Sequence, residues 1–64
     1  MTKTERERLT RLLWAIHQWQ QDEEMPRFLL LSESGLPPDR WPQLDVERED
    51  DEPTIIRKAI AVLN

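Results

Sequence analysis

Apolar side chains with helical spacing dominate the first third of this chain. They recur at every third or fourth position, and neither glycine nor proline interrupts them before Pro26. Spacing of this kind is typical of an amphipathic helix with one buried face. It predicts a helix over residues 5–22, and the remaining chain must cover its apolar stripe. The stripe consists of Leu9, Leu12, Leu13, Ile16 and Trp19.

Polar residues mark both ends of this helix. Thr4 with Glu7 matches a capping box, in which a threonine and a glutamate bind each other's backbone amides, and Thr2 with Glu5 matches it equally well. Three acidic residues follow Gln21. Negative charge is unfavourable at a helix C-terminus, so the helix is expected to end near Gln21.

The second apolar segment, residues 26–34, is bounded by proline and glycine. It could form either a buried strand or a short helix. Its three leucines and the absence of β-branched residues favour a helix. Gly35 suits the left-handed conformation that often follows a helix C-terminus.

Proline and charge interrupt regular structure between residues 36 and 52. Three prolines within six residues allow only a short turn at 38–41, which would place Trp41 and Leu44 at the edge of the core. Asp45–Glu52 carries seven charges in eight residues, which predicts a solvated loop anchored only by Val46.

The last segment again has helical spacing and predicts a helix over residues 54–63, capped by Thr54 or Asp51. Its predicted inner face consists of Ile55, Ile56, Ala59, Ile60 and Leu63, and its outer face of Arg57, Lys58 and Ala61.

These segments predict an all-α fold. We expect one small three-helix domain over residues 1–64, with a Pro-rich turn and an acidic loop before the last helix. At 64 residues the chain is near the lower size limit for independent folding. The predicted core is Leu9, Leu12, Leu13, Ile16, Trp19, Phe28, Leu30, Leu31, Leu36, Trp41, Ile56, Ala59, Ile60 and Leu63.

The side chains needed for catalysis are scarce. The chain has no cysteine, which excludes disulfides, thiolate nucleophiles and cysteine zinc sites. Its one histidine, His17, lies in mid-helix among glutamines, which favours a structural role over a catalytic one. The acidic runs lack calcium-loop spacing, and one glycine cannot form a phosphate-binding loop. We therefore expect a non-enzymatic protein with no catalytic residue, cofactor, metal site or small-molecule substrate.

Charge and hydropathy also restrict partners and location. The net charge is -4, and residues 31–52 hold eight acidic side chains against two arginines. Nucleic-acid binding requires a basic face, so this balance disfavours it. The longest apolar run, Phe28–Leu31, is too short to span a bilayer, and no signal-peptide pattern is present. We expect a cytoplasmic protein that does not bind membranes.

Two nucleic-acid-related alternatives stay open. Residues 29–36 resemble the first helix and turn of a helix-turn-helix motif, which would make the protein a DNA-binding regulator. Against this, Pro42 falls where the recognition helix should continue. The acidic middle segment offers the further alternative of a DNA-mimic inhibitor.

Trp14 lies outside the apolar stripe, roughly 160° from its centre. Either another segment covers it, or it is exposed to a partner. The first interpretation is favoured, since small domains often use both sides of their longest helix. An exposed tryptophan would be a plausible interface anchor. Our leading hypothesis is a protein-interaction or accessory module that binds a protein partner or itself, as an oligomer such as a homodimer. Its candidate contacts are Trp14, Arg11 and Gln18.

Residues Glu5–Trp14 and Pro26–Pro37 resemble a family of small enterobacterial proteins of unknown function. These are the YeeW-type proteins, encoded beside the YeeU/YeeV toxin–antitoxin cassettes of prophage-like islands. The resemblance covers most of the chain. It implies a bacterial cytoplasmic protein with no established activity, cofactor or catalytic residue, in a genetic context where small accessory binders are common.

Overall fold

A computed structural model describes residues 1–64 and contains no strand. Three α-helices and one 3-10 helix follow one another, so the predicted all-α fold is confirmed. The elements are α1 (Lys3–Gln21), α2 (Arg27–Glu33), the 3-10 helix η1 (Pro38–Gln43) and α3 (Glu52–Leu63). The long helix α1 packs against both α2 and α3.

Short-range hydrogen bonds set the helix ends. The capping box at α1 is the one formed by Thr2 and Glu5, whose amide donates to the threonine Oγ1 at 3.1 Å. This alternative starts α1 two residues before the predicted position. Asp51 caps α3 by accepting a hydrogen bond from the Thr54 amide at 3.1 Å. Gly35 follows α2 with φ at +80°, which confirms its predicted left-handed conformation.

The core lies between α1 and the segments that flank it. Six of the predicted core residues are buried, and most of the others pack partly buried at its edge. The prediction is wrong for Phe28 and Ile60, whose side chains are 65% and 37% exposed. The buried apolar residues are Leu12, Ala15, Ile16, Trp19, Leu30, Leu36, Leu44, Val46, Ile55, Ala59 and Val62.

Helix α3 is rotated relative to its predicted orientation. It buries Ile55, Ala59 and Val62, a face about 60° away from the predicted one at 100° per residue. Lys58, which was predicted to face outward, explains the rotation. Its Nζ donates to the carbonyl oxygen of Asp45 at 3.0 Å and lies 2.8 Å from Asp50 Oδ2. These two bonds hold the lysine against the preceding segment, so Ile60 turns to solvent.

The acidic segment is more ordered than the predicted solvated loop. Its carboxylates mostly face water, but its backbone carbonyls accept hydrogen bonds from Gln20 and Arg27 in addition to Lys58. Gln20 Nε2 donates to the carbonyls of residues 47, 48 and 50 at 3.2–3.4 Å. The Arg27 guanidinium donates to the carbonyls of residues 44 and 46 at 2.5 and 2.8 Å. Val46 is fully buried, which confirms it as the apolar anchor.

Arg48 makes the reciprocal connection from this segment to the turn after α1. Its terminal nitrogens donate to the carbonyls of Asp22, Glu23 and Met25 at 3.4, 3.1 and 2.5 Å. Its guanidinium carbon lies 4.7 Å from the centre of the Trp19 ring, within cation–π range, and that of Arg27 lies at 5.5 Å. Arg48 thus ties the helix end, the turn and the core tryptophan together.

Replacing Arg48 with methionine is expected to lower the free energy of unfolding by on the order of 2 kcal/mol, because several charge-assisted hydrogen bonds disappear together. Urea denaturation followed by circular dichroism measures the change. Arg57→Met is the matched control, since Arg57 is exposed on α3. Equal stability of the two variants would contradict this role of Arg48.

Candidate protein-binding surface

The three tryptophans occupy three different environments. Trp19 is 5% exposed and belongs to the core. Trp41 is partly buried, and its indole N–H donates to the Leu36 carbonyl at 2.9 Å. Trp14 is 51% exposed, so the favoured interpretation that another segment covers it is wrong. Of the three large indoles, Trp14 presents the most surface to a partner.

Trp14 lies on the outer face of α1, where it shares a shallow groove with Arg11. Arg11, one turn earlier on the same side, donates from Nε to the carbonyl oxygen of Glu33 at 2.9 Å. Gln18 follows one turn after Trp14 and is exposed. The structure therefore places the three predicted contact residues in one row along the helix, and Arg11 at the start of this row binds the C-terminal end of α2.

Helix α2 adds exposed apolar area, part of it from Phe28, which was predicted to lie in the core. Phe28 is 65% exposed and Leu29 is 40% exposed, while Leu30 is fully buried. A seven-residue helix that buries one side chain fully leaves its other apolar side chains partly or largely exposed to solvent. The available sequence signal was the run of four apolar residues, which exceeds what one face of a short helix can bury.

Two adjoining depressions border this row. A shallow groove beside Trp14 is lined by Arg6, Glu7, Thr10 and Arg11. A cleft of about 630 Å³ lies next to it, between the N-terminal half of α1, the segment after α2 and the end of α3. Glu7 and Arg11 line both depressions, so the two form one continuous surface.

Three arginines line the cleft: Arg8 and Arg11 from α1, and Arg40 from η1. Arg40 donates from Nη1 to the Val62 carbonyl at 3.2 Å, as Arg11 does to the carbonyl of Glu33. None of the three forms an ion pair, since the ion pairs of the structure all involve His17 or Lys58. The sequence did not indicate this cluster, because only tertiary packing places Arg40 of η1 in the same cleft as Arg8 and Arg11.

His17 has a partner that the sequence did not reveal. Its Nε2 lies 2.8 Å from Oε2 of Glu52, in the first turn of α3. The two serines that could complete a nucleophilic site bind elsewhere. Ser32 and Ser34 donate their hydroxyls to carbonyls within α2, at 3.1 and 2.6 Å. The contact of His17 with Glu52 joins α1 to α3.

Lys58 and Asp50 form the least exposed ion pair, at 2.8 Å. The hydrogen bond from Lys58, with that from the Glu47 amide, lowers the pKa of the Asp50 carboxyl. The hydrogen bond to Asp50 raises the pKa of the Lys58 ammonium. The stabilisation by Asp50 is therefore lost as pH falls through its lowered pKa, and that by Lys58 as pH rises through its raised pKa.

No cluster of three or more histidine or acidic side chains has the geometry to hold a metal ion. None of the helices combines the length and apolar character required to cross a bilayer.

In comparisons with known proteins, no family, curated protein or solved structure matches this chain.

Asp50→Asn is expected to lower the free energy of unfolding at pH 7. When the pH is lowered from 7 to 3, the free energy of unfolding should fall less in this variant than in the wild type. The reason is that the carboxyl with a lowered folded-state pKa is gone. Urea midpoints at the two pH values measure the difference. Asp39→Asn removes the same charge from an exposed position and serves as the control. If the stability of Asp50→Asn falls between pH 7 and pH 3 by as much as that of the wild type, the stabilising role of the Asp50 carboxylate is contradicted.

Proposed function

We propose that this chain is a non-enzymatic protein-interaction module. It binds a protein partner, or a second copy of itself, through the surface formed by Arg11, Trp14 and Gln18. The observation that carries the proposal is the exposure of Trp14, half of whose surface faces solvent in a chain with a very small core. We place this module in the bacterial cytoplasm. The resemblance to YeeW-type proteins of unknown function stays a prediction.

The physical basis is the energetic weight of buried aromatic residues at interfaces. Tryptophan and arginine are enriched among the few residues that dominate binding free energy. Arg11 and Gln18 can form the polar rim around Trp14, because both are exposed and lie one turn away from it. Phe28 and Leu29 on α2 add apolar area that a partner would remove from water at about 25 cal/mol per Å².

The DNA-binding alternative receives less support from the local structure. A helix-turn-helix protein inserts its second helix into the major groove. Here the segment after Gly35 is the six-residue 3-10 helix η1, with Pro42 inside it. The DNA-mimic alternative rests on the exposed acids of the segment before α3, such as Glu47 and Glu49. Addition of duplex DNA at low salt tests the first alternative.

Trp14→Ala is expected to weaken association with little change in helicity or melting temperature, because the removed side chain is half exposed. Trp19→Ala is the matched comparison, and should cost about 3–5 kcal/mol of stability because it empties the core. Light scattering measures self-association. Affinity capture from the native host with wild-type and Trp14→Ala bait measures partner binding, and circular dichroism follows melting.

The proposal predicts that at least one association of the wild type is lost in Trp14→Ala while folding is retained. Two results contradict it. The first is a drop in melting temperature as large as that of Trp19→Ala, which would assign Trp14 to the core. The second is wild-type self-association and partner capture that both persist unchanged in Trp14→Ala.

A further inference from the structure

We propose that the cleft lined by Arg8, Arg11 and Arg40 binds the carboxylates of an acidic peptide segment in the partner protein. A large apolar side chain of the same segment packs on Trp14. This inference rests on the proposed function, whose partner it describes by chemistry.

The positive charge of the cleft is not neutralised within the molecule. The chain carries thirteen acidic residues, yet none of their carboxylates forms an ion pair with the three arginines. Glu7 is the one acidic side chain that lines the cleft. The lining is therefore net positive, although the protein as a whole is net negative. A negatively charged group is the ligand that this local charge favours.

The guanidinium groups are also held in position for such a ligand. Arg11 uses its Nε for the Glu33 carbonyl, which leaves both terminal nitrogens of its planar fork for a carboxylate. Arg40 uses Nη1 for the Val62 carbonyl. Because these contacts restrain two of the three side chains before binding, less conformational entropy is lost on association. Arg8 is exposed and contributes the third cation.

The floor of the cleft favours a peptide over a polyanion. Leu36 and Val62 are buried apolar residues beneath the arginines, and Pro37 and Leu63 extend the apolar lining. An acidic side chain brings an aliphatic stem that packs on such a floor, whereas a phosphodiester backbone does not.

The spacing between the cleft and Trp14 restricts the peptide further. Arg8 and Trp14 are six residues apart on α1, which corresponds to about 9 Å along the helix axis. An extended peptide advances about 3.3–3.6 Å per residue. Because the two residues also lie about 120° apart around the helix axis, a carboxylate and a large apolar side chain at least three positions apart are needed to span the distance.

A second copy of the chain fits this description less well. Its own acidic segment, residues 45–52, holds one apolar side chain, Val46. That side chain is fully buried and cannot reach the Trp14 of a neighbour. The other acidic run, residues 22–24, is followed by the partly buried Met25 and by Phe28, which lies in helix α2 and not in an extended segment. The occupant we assign is therefore a segment of another protein.

The probe is a short acetylated and amidated peptide with two adjacent glutamates three positions before a leucine. Its binding to the full chain is followed by NMR, through the Trp14 indole and arginine Nε–H signals, and by calorimetry. We expect shifts at Trp14, Arg8 and Arg11. The same peptide with glutamines in place of glutamates should bind about tenfold more weakly, since it loses charge-assisted hydrogen bonds.

Arg8→Gln is the informative variant, because the Arg8 side chain is exposed and forms no ion pair. It should weaken peptide binding about tenfold. Arg57→Gln removes the same charge from the outer face of α3 and should bind as the wild type does. Circular dichroism confirms that both variants fold.

The outcomes separate this inference from the proposed function. If peptide binding is lost in Trp14→Ala but is unchanged in Arg8→Gln and with the glutamine peptide, the acidic-peptide assignment is overturned. The proposed interaction module is then still supported. Binding that needs Arg8 and the glutamates but not Trp14 supports the cleft and overturns the role of Trp14. Absence of shifts at millimolar peptide overturns the inference. Tighter, Arg8-dependent binding of a single-stranded oligonucleotide also overturns it, in favour of nucleic acid.

Discussion

Hydrogen bonds from side chains to backbone carbonyls hold the middle of this protein in place. Residues 44–51 contain no helix or strand, so their carbonyl oxygens have no partner in a regular backbone ladder. Gln20 and Arg27 bind these carbonyls, and Arg48 binds the carbonyls of the turn after α1 in return. Because two of these guanidinium groups also lie against Trp19, the same contacts connect the loop to the core.

This arrangement explains how a chain with so few apolar residues covers its longest helix. Helix α1 extends for about 28 Å, whereas the seven residues of α2 extend for only about 10 Å. The ordered segment and α3 cover the rest of the apolar stripe. Trp14 lies outside the face of α1 that these segments cover, and half of its surface stays exposed.

Arginine has two roles in this acidic protein. Arg27 and Arg48 are partly buried and bind two and three backbone carbonyls respectively. Arg11 and Arg40 bind one helix-terminal carbonyl each and keep further N–H groups at the surface. The second pair can therefore stabilise helix ends and contribute to recognition at once. The carboxylates are mostly at the surface, which leaves the local positive charge of the cleft unopposed.

Local sequence was sufficient to predict the secondary structure and most helix ends. The spacing of apolar residues predicted α1, α2 and α3, and proline placement predicted the short turn that forms η1. These features depend on interactions within one or two helical turns, so neighbouring residues determine them. The row of Arg11, Trp14 and Gln18 was predictable for the same reason, since three positions on one helix keep their relative places in any fold.

Only the tertiary structure decided which faces are buried and which side chains meet. The rotation of α3 depends on Lys58 reaching Asp50, and the exposure of Phe28 depends on how little of α2 meets α1. The contact of Arg48 with the Met25 carbonyl joins residues 23 positions apart. No local pattern encodes such contacts, because their formation depends on how all the segments pack together.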